Sequence, residues 1–465
     1  SKTKSGNPIL CNDPHLNLGL PSFWFEAAFY SPELTAYGGT LAGTVGVMSG
    51  TNGKIAWGVT NAGRDVKDWY KIQFRDENQD EYFHDSTWMP TTKRVGSFEI
   101  RGDDVFYDTI IFTHHGPVVY DKNFGKKDDE EWQNLALRWT LHDASNEPAA
   151  GFEMMKAENY EEFTTALNYF ECPAQNFVYA DAGGNIAIKS QGKFPLRWNE
   201  QGKFILDGSN PLHDWQGYIR YAHNPQTVNP ERGFVSSANQ HPTDSTYPFY
   251  YTGNFGNFRD RRINERLAVM DEITAEDMQK LQLDNFNYLA MEALPVLIHF
   301  LDEDELNDNE NEILTTLEKW DYFNNADLVP PSYFEDWHNA FYKGLWKNYF
   351  DTTHQYRLPE KYQTFHLMRT MIDTTTDTTY RKQITAFFAN VEFDTLATNT
   401  FKRMCDSTQN QRWDEYKATG VSHLLRIPSF GVQNISTGGN AAIVNATSSD
   451  WGPSWKMIVE FLSLI

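Results

Sequence analysis

The sequence predicts an α+β fold in stacked layers, and three observations carry that prediction. Gly-, Thr- and Val-rich segments with tight turns fill residues 1 to 120, helical periodicity dominates 275–372, and strand-like segments return at the end. No segment repeats at a fixed period.

The elements follow in order. "GGTLAGTVGVMSGTNGKIAWGVTN" suits strands and tight turns rather than helices, because β-branched residues pack on a pleat and Gly punctuates it. "KRVGSFEIRGDDVFYDTIIFTHHGPVVY" alternates apolar and polar residues around a Gly-Asp turn, which reads as hairpins. Residues 148–170 read as helical. "NFVYADAGGNIAIKSQG" is a second strand pair turning at Ala182-Gly183-Gly184-Asn185. Apolar spacing of three and four predicts one amphipathic helix over 275–300, with Thr274 as N-cap and Asp277 three residues on. Further helices are expected at about 305–320, 332–350 and 359–372. The intervening "DEDELNDNENE" reads as a solvated acidic stretch rather than a calcium loop. "GNAAIVNATSSDWGPSWKMIVEF" is expected to return to strands. The organisation is one large domain: 1–270 the first part of the core, 271–400 mainly helical, 401–465 back to core strands.

Composition narrows the function classes. A chain of 465 residues with 15% aromatics can build a large core and still line a pocket. The net charge of -23 argues against nucleic acid and anionic membranes, both of which need a basic face. No run of eighteen apolar residues predicts a membrane span. The polar start "SKTKSGNP" has no apolar h-region, so any export signal is expected outside this sequence. Three widely spaced cysteines without a C-x-x-C read as buried free thiols. No nucleophile elbow, zinc-binding H-E-x-x-H, P-loop or dinucleotide fingerprint occurs. His114-His115-Gly116-Pro117 has a catalytic look, but it sits at a strand end before a Gly-Pro turn and reads as structural.

An ordered set of segments does carry a specific signal: "GNPILCNDPHL", "PSFWFEAAFYSPELTAYGGTLAGTVGVMSGTNGKIAWGVTNAGRDVKDWYKIQF", "THHGPVV", "NFVYADAGGNIAIKSQGKFPLR", "GFVSSANQHPTDSTYPFYY", "ITAEDMQKLQLDN" and "GPSWKMIVE". Together they resemble the large β chain of the penicillin acylase family of N-terminal-nucleophile hydrolases, over nearly the whole sequence. The resemblance implies a four-layer αββα sandwich with a largely helical insertion in the second half. It also implies hydrolysis of a linear amide: a β-lactam side chain, an acyl-homoserine lactone or a similar N-acyl compound. The nucleophile is an N-terminal serine exposed by self-cleavage. Its α-amine, with a pKa of about 7.7–8, accepts the proton without a histidine partner.

The resemblance assigns roles residue by residue. His15 matches the position beside the nucleophile; family members that cleave penicillin G carry Gln there, and those acting on acyl-homoserine lactones or cephalosporins carry His. The backbone N–H of Asn61 and the side-chain amide of Asn239 match the two oxyanion donors. Arg262, with Arg261 as the neighbouring register, matches the arginine that steadies this network. Leu16, Ser49, Val59, Trp139 and Gln175 match pocket-lining positions and suggest an apolar acyl group. Asp65, Lys67 and Asp68 match ligands of a structural Ca²⁺, although an aromatic (Tyr250 or Tyr251) stands where the family has a further carboxylate. No organic cofactor is implied. The partners implied are a small-molecule N-acyl substrate and an α chain from the same precursor, in a bacterial periplasmic or secreted setting.

The departures shape the expectation. "SKTKSGNP" resembles the family's sequence a short way downstream of the nucleophile, so Ser1 reads as an interior serine. After "GPSWKMIVE" the family's sequence continues, so the chain reads as a β-chain fragment inactive by itself. "LAGTVG" and "GTN" also differ from the family's usual residues near the pocket. One rival is a degenerate relative that binds acyl amides without cleaving them. A binding protein of unrelated fold predicts βαβ units, which the glycine-rich hairpins of the first third oppose.

Overall fold

The computed structural model describes residues 2–121, 133–347, 349–350 and 358–461. Its centre is a seven-stranded antiparallel sheet. Across the sheet the strands run Gln226–Val228, Ile186–Gln191, Gln175–Asp181, Ile55–Asn61, Ser49–Thr51, Leu34–Leu41 and Trp24–Ser31. Strand Ile55–Asn61 is buried along most of its length, as a strand covered on both faces must be.

One face carries the helices Glu147–Lys156 and Tyr160–Leu167, whose Met154, Phe163 and Leu167 pack on Trp57, Phe177 and Tyr179. The other face meets an antiparallel pair, Ile9–Asn12 with Met457–Glu460, through Leu10, Val459 and Phe461 against Ala56, Val178 and Ala180. Helices Arg259–Val269 and Ala275–Gln282 close the stack, with Ile263, Leu267 and Leu281 against Ile9. These are the four αββα layers that the resemblance implies. The apolar residues of each strand alternate toward one layer or the other, and that alternation holds the two inner layers together.

Asn12 fixes the register between the inner layers. Its Nδ2 donates to Val59 O (3.0 Å), and its Oδ1 accepts from Val59 N (3.3 Å) and Ser49 Oγ (2.8 Å). Gly58 makes the approach possible: a Cβ there would stand 2.6 Å from Asn12 Cγ.

A second, mostly antiparallel sheet of six strands lies beside the stack, in the order Thr92–Phe98, Phe106–Thr113, Gly116–Tyr120, Leu135–Trp139, Lys67–Lys71 and Leu206–Asp207. It contains the hairpin read from the alternation over 93–113.

The helical region differs in detail from expectation. Thr274 caps its helix through a reciprocal bond with Asp277. The expected single helix over 275–300 is two, Ala275–Gln282 and Tyr288–His299, because Asn287 starts a new helix by capping Ala290 N. Likewise 148–170 is two helices, the second capped by Asn159. Asp308–Glu318, Pro330–Trp346 and Lys361–Ile372 fall near the expected spans. Thr378–Phe387, Phe393–Thr408 and Trp413–Lys417 were not expected and carry the helices beyond residue 400. The expected strands over 439–450 are irregular chain, since Asn and Ser side chains compete for the backbone: Asn440 Oδ1 accepts from Ala442 N. The three cysteines are unpaired thiols.

Candidate active site

His15 opens the short strand His15–Asn17, which pairs with Trp451–Pro453. Pro14 O accepts from Ser454 Oγ, which in turn accepts from Trp24 Nε1, so the turn before His15 is tied to the aromatic run after it. The imidazole stacks obliquely on Trp451 at 5.5 Å. Its Nε2 is buried with no hydrogen-bond partner among the described residues. Burial foremost, then the Arg259 and Lys456 charges, lower its pKa to about 3, so the ring is neutral at physiological pH. Asp13, 3.9 Å away, is raised to about 6 by burial against the pull of Lys456 and Arg259.

The two expected oxyanion donors meet on one edge of strand Ile55–Asn61. In an antiparallel strand, N–H and C=O of alternate residues point to the same side. Val59 N and O turn toward Asn12, whereas Ala62 N turns the other way, to Ala174 O. The N–H and C=O of Asn61 therefore face the Asn12 side. On that side Asn61 O accepts from Asn239 Nδ2 at 2.8 Å, which brings the Asn239 amide beside the Asn61 N–H. Asn239 sits at φ 67, a left-handed conformation that Asn tolerates better than most residues. Arg259 NH2 donates to Asn239 Oδ1 (2.5 Å) and to Ala238 O (3.2 Å), which fixes the amide with its nitrogen toward Asn61. Arg259 is itself half-buried, and desolvation lowers its pKa.

His15, Asn61, Asn239 and Arg259 all line one cavity of about 1300 Å³. Leu16, Val59 and Gln175 line it as expected, joined by Phe23, Trp24, Phe170 and Trp451. Three expected residues lie elsewhere. Ser49 is wholly buried beneath Asn12. Trp139 pairs with Lys67 in the six-stranded sheet, because its strand belongs to that sheet. Arg262 is bound to Asp284 at 2.8–3.1 Å and Arg261 to Glu292 at 2.8 Å, so Arg259, one helical turn earlier, holds the network. "RDRR" offered three arginines, and nothing in the local pattern distinguished the one that meets Asn239.

Most of the oxygens expected to bind calcium are held by Arg197, while Asp68 Oδ1 is buried without a hydrogen-bond partner among the described residues. Arg197, whose side chain is fully buried, donates to Asp65 Oδ2 and O (3.1 Å each), Asp68 Oδ2 (2.8 Å) and Lys67 O (3.0 Å). Trp215 Nε1 adds a bond to Asp68 Oδ2 at 2.5 Å. Tyr250 O and the Tyr251 ring hold Arg64. The Arg197 guanidinium stands against the Asp65, Lys67 and Asp68 oxygens, and a divalent cation among them would meet its repulsion. Arg197 in this position competes with Ca²⁺ for the Asp65, Lys67 and Asp68 oxygens. Ser1 lies outside the described residues. Lys2 Nζ donates to Ala268 O and Met270 O, and Lys2 and Thr3 line a separate, smaller cavity of about 420 Å³. Among the described residues no helix is long and apolar enough to cross a membrane.

Comparison with known proteins identifies the family and the fold. A model of the penicillin amidase family matches residues 1–464. The acyl-homoserine lactone acylase QuiP of Pseudomonas aeruginosa is 30% identical over 297 residues, 61% of this chain and 34% of that protein. The penicillin G acylase of Escherichia coli is 23% identical over 335 residues, 70% of this chain and 38% of that protein. The chain thus spans about a third of the length of the curated relatives it matches. The fold matches the solved thermostable penicillin G acylase from Alcaligenes faecalis with a TM-score of 0.68 at 20% identity, covering 89% of this chain and 78% of that one. The layers, the cavity shared by His15, Asn61 and Asn239, and the match along the sequence lead to one conclusion: the chain belongs to the penicillin amidase family.

Proposed function

We propose that the protein carrying this chain hydrolyses a linear amide bearing an apolar acyl group, with an N-acyl-homoserine lactone or a β-lactam side-chain amide as the substrate class. The observation that carries the reading is the Asn239 amide held by its bond to Asn61 O, on the strand edge that also bears the Asn61 N–H, at the wall of a cavity that neutral His15 and apolar side chains also line. In this reading an N-terminal serine, exposed by self-cleavage, attacks the carbonyl carbon while its α-amine accepts the hydroxyl proton. The tetrahedral oxyanion forms against the two amide donors, and the leaving amine takes the proton. Water then hydrolyses the acyl-serine by the same route. His15 orients the α-amine without competing for the proton, because it stays neutral. The reading includes an α chain from the same precursor and a periplasmic or secreted location; both rest on the family resemblance.

The test uses the full-length gene product. Its large chain is first sequenced from the N-terminus. It is then offered acyl-homoserine lactones of graded chain length and penicillin G, with the freed amine labelled and quantified. A serine terminus and amine release are the expected results. An uncleaved precursor that binds these amides without releasing amine would establish the non-catalytic relative instead.

A further inference from the structure

His84, His114, His115 and Asp214 converge at a place remote from the proposed chemistry; none of them lines the His15 cavity. Three separate segments deliver them. His84 ends strand Glu81–His84, His114 and His115 form the turn between Phe106–Thr113 and Gly116–Tyr120, and Asp214 follows the 3-10 turn Pro211–His213. Asp214 Oδ2 lies 3.3 Å from His84 Nε2 and 3.5 Å from His114 Nε2, and its Oδ1 lies 3.6 Å from His115 Nδ1.

The opposite nitrogen of every ring is already held. Gly208 O receives His84 Nδ1 at 2.9 Å and His115 Nε2 at 3.2 Å. A carbonyl can only accept, so both nitrogens carry hydrogen, and the nitrogens facing Asp214 are lone pairs in the neutral rings. His114 Nδ1 lies 2.8 Å from Tyr82 Oη, which can accept its hydrogen. His115 also stacks on Tyr70 at 3.9 Å. Asp214 Oδ1 is buried without a hydrogen-bond partner among the described residues. Imidazole lone pairs and an unsatisfied carboxylate oxygen, turned toward one point, are unfavourable unless a proton or a metal cation stands between them.

We propose that these four side chains form a binding site for a divalent transition-metal ion, with Zn²⁺ the best fit. Imidazole and carboxylate ligands favour zinc over calcium or magnesium, which take oxygen. Bonds of about 2.0–2.1 Å place neighbouring ligand atoms of a tetrahedron about 3.3 Å apart, close to the three Asp214–His separations. All four ligand atoms lie within 4.8 Å of one another, so binding draws the imidazoles inward by small rotations. Buried His84 and His115 form the floor. His114 and Asp214 have side-chain exposures of 32% and 27% and leave an entry for the ion. Four protein ligands complete the coordination, which makes the role structural. The ion would clamp the segment carrying Asp214 to the six-stranded sheet. Trp215, the next residue, bonds Asp68, so the clamp reaches the Arg197 cluster as well.

The test takes the full-length gene product, strips it with a chelator and titrates it with Zn²⁺ against a chromophoric competitor. One zinc per chain is expected, with a thermal midpoint that rises as zinc is added. His114→Gln and Asp214→Asn, both at partly exposed positions, should each weaken zinc affinity at least tenfold, with circular dichroism confirming the fold. The exposed His299→Gln serves as control and should bind zinc as the unaltered protein does. Zinc well below one per chain overturns the proposal, as does stoichiometric zinc whose affinity neither variant changes. Should both variants fail to fold, Co²⁺ in the unaltered protein decides: intense tetrahedral d–d bands support the site, and weak octahedral bands or none refute it.

Discussion

Replacing Asn239 by Gly removes one amide donor while keeping the backbone it needs. Asn239 sits at φ 67, where Ala would add left-handed strain and Gly adds none, so Asn239→Gly isolates the side chain. Two bonds disappear: Nδ2 to Asn61 O at 2.8 Å and Arg259 NH2 to Oδ1 at 2.5 Å. The second loss leaves half-buried Arg259 with Ala238 O at 3.2 Å as its remaining acceptor on this loop and costs about 1.5–3 kcal/mol of stability, as for other hydrogen bonds to a charged group. The catalytic cost is separate. Loss of one oxyanion donor lowers kcat about 10²–10³-fold, or about 2.7–4 kcal/mol of transition-state stabilisation. KM should move little, because the donor is aimed at charge that develops only in the transition state. The assay is amine release by the processed full-length protein, with thermal unfolding run in parallel. A folded variant whose kcat falls less than about fivefold would refute the oxyanion assignment.

Three further outcomes follow from the same structure. Arg259→Lys should lower kcat by loosening Asn239, whereas Arg262→Lys should leave kcat near that of the parent protein and weaken only the Asp284 contact; equal kcat losses would contradict the placement. Arg197→Met strands the carboxylates of Asp65 and Asp68 and should cost about 3–5 kcal/mol in chemical denaturation, and an unchanged midpoint would remove Arg197 as the organiser of this cluster. His15 is lowered from 6.5 to about 3 on folding, so below pH 6.5 the unfolded chain binds a proton that the folded one does not. That part of the stability is present above pH 6.5 and is lost as pH falls toward 3, by up to about 1.4 kcal/mol per pH unit. Asp13, raised to about 6, acts in the opposite sense, so the comparison is with His15→Gln, whose stability should fall less steeply with acid. Parallel curves of stability against pH would show that His15 is not held neutral.

Some of this protein was determined by the sequence alone. Alternation over 92–113 made a hairpin, because period two can bury only one face of a strand. Thr274 and Asp277 closed a cap by local chemistry. The ordered segments from Gly6 to Glu460 pointed to the family and, through it, to His15, Asn61 and Asn239. Tertiary structure decided the rest, wherever a contact joins residues far apart or chooses among equivalent neighbours. Arg259 and Arg262 lie one turn apart on the same helix, and only the approach of the Ala238–Asn239 loop selects the first. Ser49 and Trp139 were plausible wall residues until Asn12 covered one and the six-stranded sheet took the other. Asp65 and Asp68 have a spacing that suits a cation, and the cation they meet is Arg197, 129 residues or more away in the chain and invisible to any local pattern. His84, the pair His114-His115 and Asp214 share no motif either; folding alone turns their nitrogens and oxygens toward one point, because hydrogen bonds to Gly208 O and with Tyr82 Oη fix how each ring faces.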